Sequence, residues 1–178
     1  MILEGIGEDP AREGLIKTPE RVRKMYEEIL NGREIDLSAL LETTFSEKHD
    51  EMVIVRDIPF FSVCEHHLLP FLGKAHIGYI PKGRVVGISK MVRVLKAEAM
   101  QLQLQERLTK NVADILMREL RPTGVGVVVE AEHLCMSIRG VKSFGAKMVT
   151  SAMRGGFRTH ESTRAEFLSL IKFYGKGE

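Results

Sequence analysis

The stretch from Lys90 to Leu120 carries the longest helical repeat in the chain, and β-rich runs stand on both sides of it. Met52 to Phe61 (MVIVRDIPFF) and Lys74 to Ile80 come before; Gly124 to Glu130 (GVGVVVE) and Lys147 to Met153 come after. Pro59 marks the first run as an edge strand or a strand end. Pro81-Lys82-Gly83 stops the second, and Val85 to Ile88 is a short extended piece leading to Ser89, an N-cap residue type. Leu95, Ala99, Leu102 and Ala113 fall within about 60° of one another at 100° per residue, so the central helix has an apolar stripe. The order helix, two strands, long helix, two strands, helix predicts an α+β fold with an antiparallel sheet.

The flanks complete that order. Thr18-Pro19-Glu20 reads as a helix start, with threonine as N-cap, proline at the first helical position and an acid in the first turn. That helix is expected to run through Val22, Met25, Tyr26 and Ile29 and to stop at Asn31-Gly32. A short helix is expected over Leu37 to Leu41 and a last one over Thr163 to Phe173, with Gly175 to Glu178 fraying. The organisation is an N-terminal helical segment over 1–50 and one globular unit over 51–178.

Composition narrows the function classes. The formal charge of +2 over 178 residues argues against nucleic acid and anionic membrane surfaces as partners. No apolar run approaches the ~20 residues that span a bilayer. Met1 to Pro10 holds three acidic residues and lacks a basic region followed by an apolar one. The expected location is therefore cytoplasmic, where cysteines beside histidines are metal ligands more often than disulfides.

There are two cysteines, and each has histidine beside it: Cys64-Glu65-His66-His67, then His133-Leu134-Cys135. A C-x-x-H pair in a turn after a strand brings two side chains close enough to share an ion. His133 and Cys135, two apart, would point to one face of an extended strand. Zinc held by two thiolates and an imidazole, with a fourth position open, is a catalytic arrangement and would lower a water's pKa to about 7. Buried apolar cysteines with unrelated surface histidines, and a closed four-ligand structural site, are the competing readings. The zinc deaminase pattern H-x-E with C-x-x-C is absent.

Two further groups stand out. Glu106 projects onto the same helical face as Leu95, Ala99 and Leu102, where a carboxylate is costly without a partner. It reads as a group ion-paired to a nearby Arg, as one on a helix end rotated towards solvent, or as an anchor for the adjacent N–H donors of a guanine or pterin edge, with Gln105 extending the recognition. Ser89, Lys90 and Arg93 open the long helix, and cations there oppose the macrodipole unless a phosphate binds. Arg139 and Lys142 could close on the same anion; solvated charges are the alternative for each.

Cys64-Glu65-His66-His67-Leu68-Leu69-Pro70-Phe71, Gly73-Lys74-Ala75-His76, Ser89-Lys90, Gln105-Glu106-Arg107-Leu108-Thr109 and His133-Leu134-Cys135-Met136 with Arg139-Gly140 closely resemble GTP cyclohydrolase I. The match runs in order from Thr18-Pro19-Glu20-Arg21-Val22 to Glu166-Phe167-Leu168-Ser169-Leu170. The resemblance implies a tunnelling fold, an antiparallel four-stranded sheet with helices packed on one side, assembled through its sheets into a homodecamer of two pentamers. It implies conversion of GTP and water into 7,8-dihydroneopterin triphosphate and formate, the first step of tetrahydrofolate and pterin biosynthesis. Carried across by position, Cys64, His67 and Cys135 would hold Zn2+, and His66 and His133 would act as general acid/base groups. Glu106 would anchor the guanine with Gln105 close by, while Ser89, Lys90, Arg93, Arg139 and a neighbouring subunit's Arg21 would bind the triphosphate. Lys96-Ala97-Glu98-Ala99-Met100-Gln101 departs from the family's usual stretch, which bears on subunit contacts. The alternatives are another tunnelling-fold enzyme acting on a pterin or deazapurine, and a zinc-stabilised ring protein that binds purine nucleotides without turnover. His66 and His133 speak against the last, because a binding module has no need of two extra imidazoles beside the metal.

Overall fold

The computed structural model describes residues 2–172. Helix α1 covers Ile2–Gly5 and α2 Thr18–Ile29; a 3-10 turn at Gly32–Glu34 leads to α3, Leu37–Glu42. Strand β1 (Thr44–Ser46) pairs with β4 (Arg84–Val86) in a ribbon of its own. The main sheet contains β2 (Val53–Cys64), β3 (Pro70–Ile80), β6 (Gly124–His133) and β7 (Lys147–Gly155), neighbours in that order and all antiparallel. Two residues, Leu102–Gln103 (β5), lie parallel to Val63 and Cys64 and add a short fifth strand. Helices α4 (Ile88–Ala99) and α5 (Gln105–Leu120) connect the two halves, and α6 (Leu134–Ser137), α7 (Gly156–Thr159) and α8 (Glu161–Lys172) complete the chain. This is the α+β antiparallel architecture expected of a tunnelling fold.

Alternation along the strands sorts the core. Ala75, Ile77 and Tyr79 of β3 and Val125, Val127 and Val129 of β6 meet Leu95, Leu108, Val112 and Leu116 from α4 and α5. On the opposite face, at the Tyr79 end, Phe157 and Phe167 pack edge to face, 5.3 Å apart, with Val128. They reach the backbone because Gly78 and Gly126 have no side chain: a Cβ there would lie 2.9 Å from Phe167 and 2.6 Å from Phe157 respectively. So α4 and α5 cover one face, and α7 and α8 close one end of the other. Among the described residues, no buried side-chain nitrogen or oxygen lacks a partner, as close-packed interiors require.

The largest departure from expectation lies between Lys90 and Leu120. One helix is expected there; the chain forms α4, the two-residue β5, and α5. Helix propensity through Met100-Gln101-Leu102-Gln103 is overridden by pairing with β2 and by donors that satisfy the end of α4. Ser62 Oγ donates to Ala99 O (2.7 Å), Gln103 Nε2 to Glu98 O (2.9 Å) and Gly32 N to Met100 O (2.9 Å). Gly32 has to be glycine, since a Cβ would lie 2.0 Å from Ala97 O.

Smaller corrections arise from the same kind of competition. The N-cap positions are Lys17 and Gly87, so Thr18 and Ser89 lie inside their helices. Helix α2 does run through Ile29 and stop ahead of Asn31-Gly32, as expected. Strand β2 extends to Cys64, β3 begins at Pro70 and β6 reaches His133, each longer than its apolar run. Cys135 sits in the turn α6, so it and His133 do not share a strand face. Helix α8 begins at Glu161; Phe173 and Gly175 to Glu178 lie outside the described residues. Pro59 stands opposite Lys74 on the part of β2 that has no second neighbour, where its missing N–H costs no ladder bond. The helix over Leu37–Glu42 forms as expected, with the Asp36 carboxylate accepting from Ser38 N and Ala39 N.

Candidate active site

Three strand ends meet at one end of the sheet. Cys64 closes β2, and the turn to β3 is tied by Cys64 N to Leu69 O and Leu68 N to Cys64 O, both 2.9 Å. Leu68 adopts φ 54°, and its carbonyl accepts from Tyr26 Oη of α2 at 2.8 Å. Glu65 N donates to Gln103 O at 3.1 Å, and the Glu65 carboxylate pairs with Arg107. The turn carrying Glu65, His66 and His67 is thus fastened on two sides.

His133 ends β6 directly opposite Phe71, and their rings stack 4.4 Å apart at an interplanar angle of 4°. The chain then turns through α6, which presents Cys135. Glu132 secures the segment beyond α6 by accepting from Ser137 Oγ (2.7 Å) and Gly145 N (3.0 Å), bonds that hold its carboxyl below the usual carboxylate range.

Cys64, His67 and Cys135 each offer one ligand atom, all within 4.8 Å of one another. Burial, then the neighbouring Cys64 sulfur, push the Cys135 thiol above its usual value. Two sulfurs that close become stable thiolates only with a cation between them, and two thiolates with one imidazole suit zinc with a position left open. The trio therefore fits a catalytic metal. Arg139 reaches the same place, with Nη1 2.8 Å from His67 Nε2.

Around the trio stand the groups expected to handle substrate. His66 is exposed, its ring edge-on to His67 with centroids 6.2 Å apart. Burial pushes the His133 imidazole below its usual value, against an upward pull from Glu106. Glu106 does not share a stripe with Leu95 and Ala99, because the helix break separates them. It lies exposed in the first turn of α5, where the macrodipole favours an acid. It lines a cavity of about 480 Å3 with Lys110, Thr150, Ser151, Arg154 and Arg158, open along β7. Gln105 is 1% exposed, and both ends of its amide are engaged within the chain.

The anion group lies elsewhere in the chain. Val86 N donates to Tyr79 Oη, which sets the start of α4 beside the far end of β3. Phe71 and Tyr79 are eight residues apart on that strand, roughly 25 Å at ~3.3 Å per residue. Ser89 and Arg93 are exposed there, and Lys90 Nζ donates to Thr43 O at 2.8 Å. Within one chain the first turn of α4, with Ser89 and Lys90, therefore stands at the opposite end of β3 from Cys64 and His67. Arg21 is exposed on α2. A cavity of about 850 Å3 between Ser38, Tyr79, Arg84 and Arg121 is not lined by Cys64, His67 or Cys135.

Sequence reasoning does not single out Phe71, Tyr26, Thr109 or Thr150. Phe71 and Thr109 alone have a signal, standing inside the CEHHLLPF and QERLT stretches; Tyr26 and Thr150 act through contacts made across forty residues or so.

The family model for GTP cyclohydrolase I matches residues 1–172. Proteins called GTP cyclohydrolase 1 from Pelotomaculum thermopropionicum and from Halalkalibacterium halodurans are each 61% identical over 173 residues, covering 97% of this chain and 92% of theirs. That of Geobacillus kaustophilus is 57% identical over the same shares. With the Cys64, His67 and Cys135 ligand atoms gathered at one end of an α+β sheet, and a likeness that extends over nearly the whole length, the chain belongs to the GTP cyclohydrolase I family.

Proposed function

We propose a zinc-centred, subunit-shared mechanism for the reaction this chain catalyses, the hydrolysis of GTP to 7,8-dihydroneopterin triphosphate and formate. The observation that carries it is the convergence of Cys64, His67 and Cys135 within 4.8 Å. Zinc bound there supplies Lewis acidity and an activated water at neutral pH. Glu106 accepts the adjacent N–H donors of the guanine edge with its two oxygens. His133, made a poor base by burial, remains neutral near pH 7 and exchanges a proton with the purine ring; His66, exposed beside His67, serves a second proton transfer. Arg139 is close enough to the trio to bind the triphosphate of the same substrate.

Ser89, Lys90 and Arg93 complete the site from a neighbouring subunit. The placement of the start of α4 beside Tyr79, at the other end of β3 from Phe71 and the metal trio, supports this. Each sheet also ends in β7, whose outer edge has no partner among the described residues, an edge suited to continuation by another copy. A ring of subunits joined through their sheets, doubled into a decamer, meets both conditions. Arg21, on the exposed helix α2, joins the triphosphate set across a subunit boundary. No described helix is long and apolar enough to cross a membrane, in keeping with a cytoplasmic enzyme acting on a free nucleotide.

The test is direct. Metal-free protein incubated with GTP should release formate and give a fluorescent oxidised pterin only after zinc is added. Cys135→Ala should lose bound zinc and turnover together, while the assembly keeps its size. Full activity in a metal-free preparation would end the zinc reading.

A further inference from the structure

Gln105 has an occupation that a guanine contact does not explain. Its Nε2 lies 3.1 Å from Val129 O, 3.0 Å from Met148 O and 3.1 Å from Thr150 Oγ1. Its Oε1 lies 2.8 Å from His133 Nε2. Turning the amide over would set oxygen against two carbonyl oxygens, so the orientation is determined by its surroundings.

A closed circuit of hydroxyls reinforces it. Thr109 Oγ1 donates to Gln105 O at 2.7 Å, because a carbonyl can only accept. Thr109 therefore accepts from Thr150 Oγ1, 2.6 Å away. Thr150, its proton so committed, accepts from Gln105 Nε2. Each donor has one direction left, and the circuit closes on the residue where it began. Gln105 and Thr109 are each 1% exposed, so water does not compete for these bonds.

The consequence falls on His133. An amide oxygen cannot donate, so Nε2 of His133 must carry a proton to make its bond. Phe71, stacked 4.4 Å away, keeps the ring in its plane. The ring's other nitrogen, Nδ1, has no partner among the described residues.

We propose that Gln105 is a positioning residue: it holds His133 as the tautomer protonated on Nε2 and leaves Nδ1 to meet the substrate. It acts through His133 rather than on the guanine, and Thr109 and Thr150 lock its direction. This rests on the reading of His133 as a proton-transfer group.

Gln105→Leu removes the acceptor at similar volume. The zinc-loaded variant should lose about 10–100-fold in kcat, the range typical of supporting partners. The dissociation constant of GTP from the metal-free variant, measured by equilibrium dialysis, should stay within about twofold of the parent. Gln105→Glu, whose buried carboxyl in its neutral form keeps an oxygen facing His133 and turns its O–H towards the carbonyls of Val129 and Met148, should recover most of the lost kcat. A tenfold or greater loss of GTP affinity would make Gln105 a substrate contact and overturn the proposal. So would an unchanged kcat in Gln105→Leu, or equal losses in the Leu and Glu variants, the mark of a merely structural role. Where Gln105→Leu does not assemble, Thr150→Val decides: a drop of about threefold in kcat at unchanged GTP affinity supports the circuit, and a parental kcat refutes it. His133→Ala separates the two levels. Parental turnover there sinks the role of His133 itself, whereas an impaired His133→Ala beside an unimpaired Gln105→Leu sinks this inference alone.

Discussion

Strands β3 and β6 run side by side from Phe71 and His133 to Ile80 and Gly124, yet their two ends are built on opposite principles. At the Gly78 and Gly126 end the sheet is closed by aromatic rings pressed onto backbone that has no side chains of its own. At the other end the strands run out into more exposed polar residues; Cys64 and Cys135 touch the edge of the core and His133 stacks on Phe71, while hydrogen bonds and turns aim their polar atoms. Close packing stabilises but leaves nothing free to react. The polar end keeps reactive atoms available and relies on neighbours to aim them. Stability and chemistry are separated along the same strands.

That contrast can be broken by substitution. Phe167 is fully buried on the two glycines, so Phe167→Ala should cost about 3–5 kcal/mol, read as a lower midpoint in urea unfolding. Cys135→Ala at the polar end, which should lose turnover entirely, should move that midpoint far less in metal-free protein. If the two variants lost similar stability, the division between the ends would be wrong.

Between them lies the face with Lys74, His76, Glu130 and Lys147. Burial holds the His76 imidazole below its usual value, with opposing pulls from Asp57 and Glu130, and its Nδ1 accepts from Asp57 N at the β2 bulge, 3.2 Å away. The unfolded chain therefore binds a proton on His76 more readily than the folded one. Its contribution to stability is complete above the ordinary histidine pKa of about 6.5 and is lost as pH falls from there through the folded value. Thermal unfolding should show a falling midpoint between about pH 7.5 and 5.5, and His76→Gln should flatten that fall. The smallest effect belongs to Lys147→Ala. Its bond to Glu130, 2.7 Å, lies on the exposed face, where an ion pair contributes little, so the unfolding midpoint should be indistinguishable from the parent.

Much of the fold is readable from the sequence because it is local. The β runs declare themselves through alternation and length, and the metal trio through C-x-x-H and H-x-C spacing, although the second pair meets its partner from a helical turn rather than a strand face. What escapes is what distant residues decide. Nothing within Lys90 to Leu120 announces that Ser62 and Gly32 will terminate α4, and with the break unseen Glu106 projects onto a stripe it does not occupy. The Gln105 circuit is equally hidden, since Thr109 and Thr150 are forty-one positions apart and threonine is ordinary in both a helix and a strand. Glu106 stands out in the sequence for a reason that the helix break removes, and it nevertheless lines a cavity along β7 and lies near enough to His133 for its charge to act on the imidazole.

Gly32, seated against the carbonyls of Ala97 and Met100, also marks where the chain can be recut. Helix α2 before it buries no residue, whereas Leu41 shortly after it is 2% exposed and belongs to the main core. A chimera exchanging N-terminal arms between relatives should join them at Asn31, keeping Gly32 with the body that it caps. A seam placed ten residues later would leave α4's cap to the incoming arm, and any arm with a side chain at that position would set its Cβ 2.0 Å from Ala97 O.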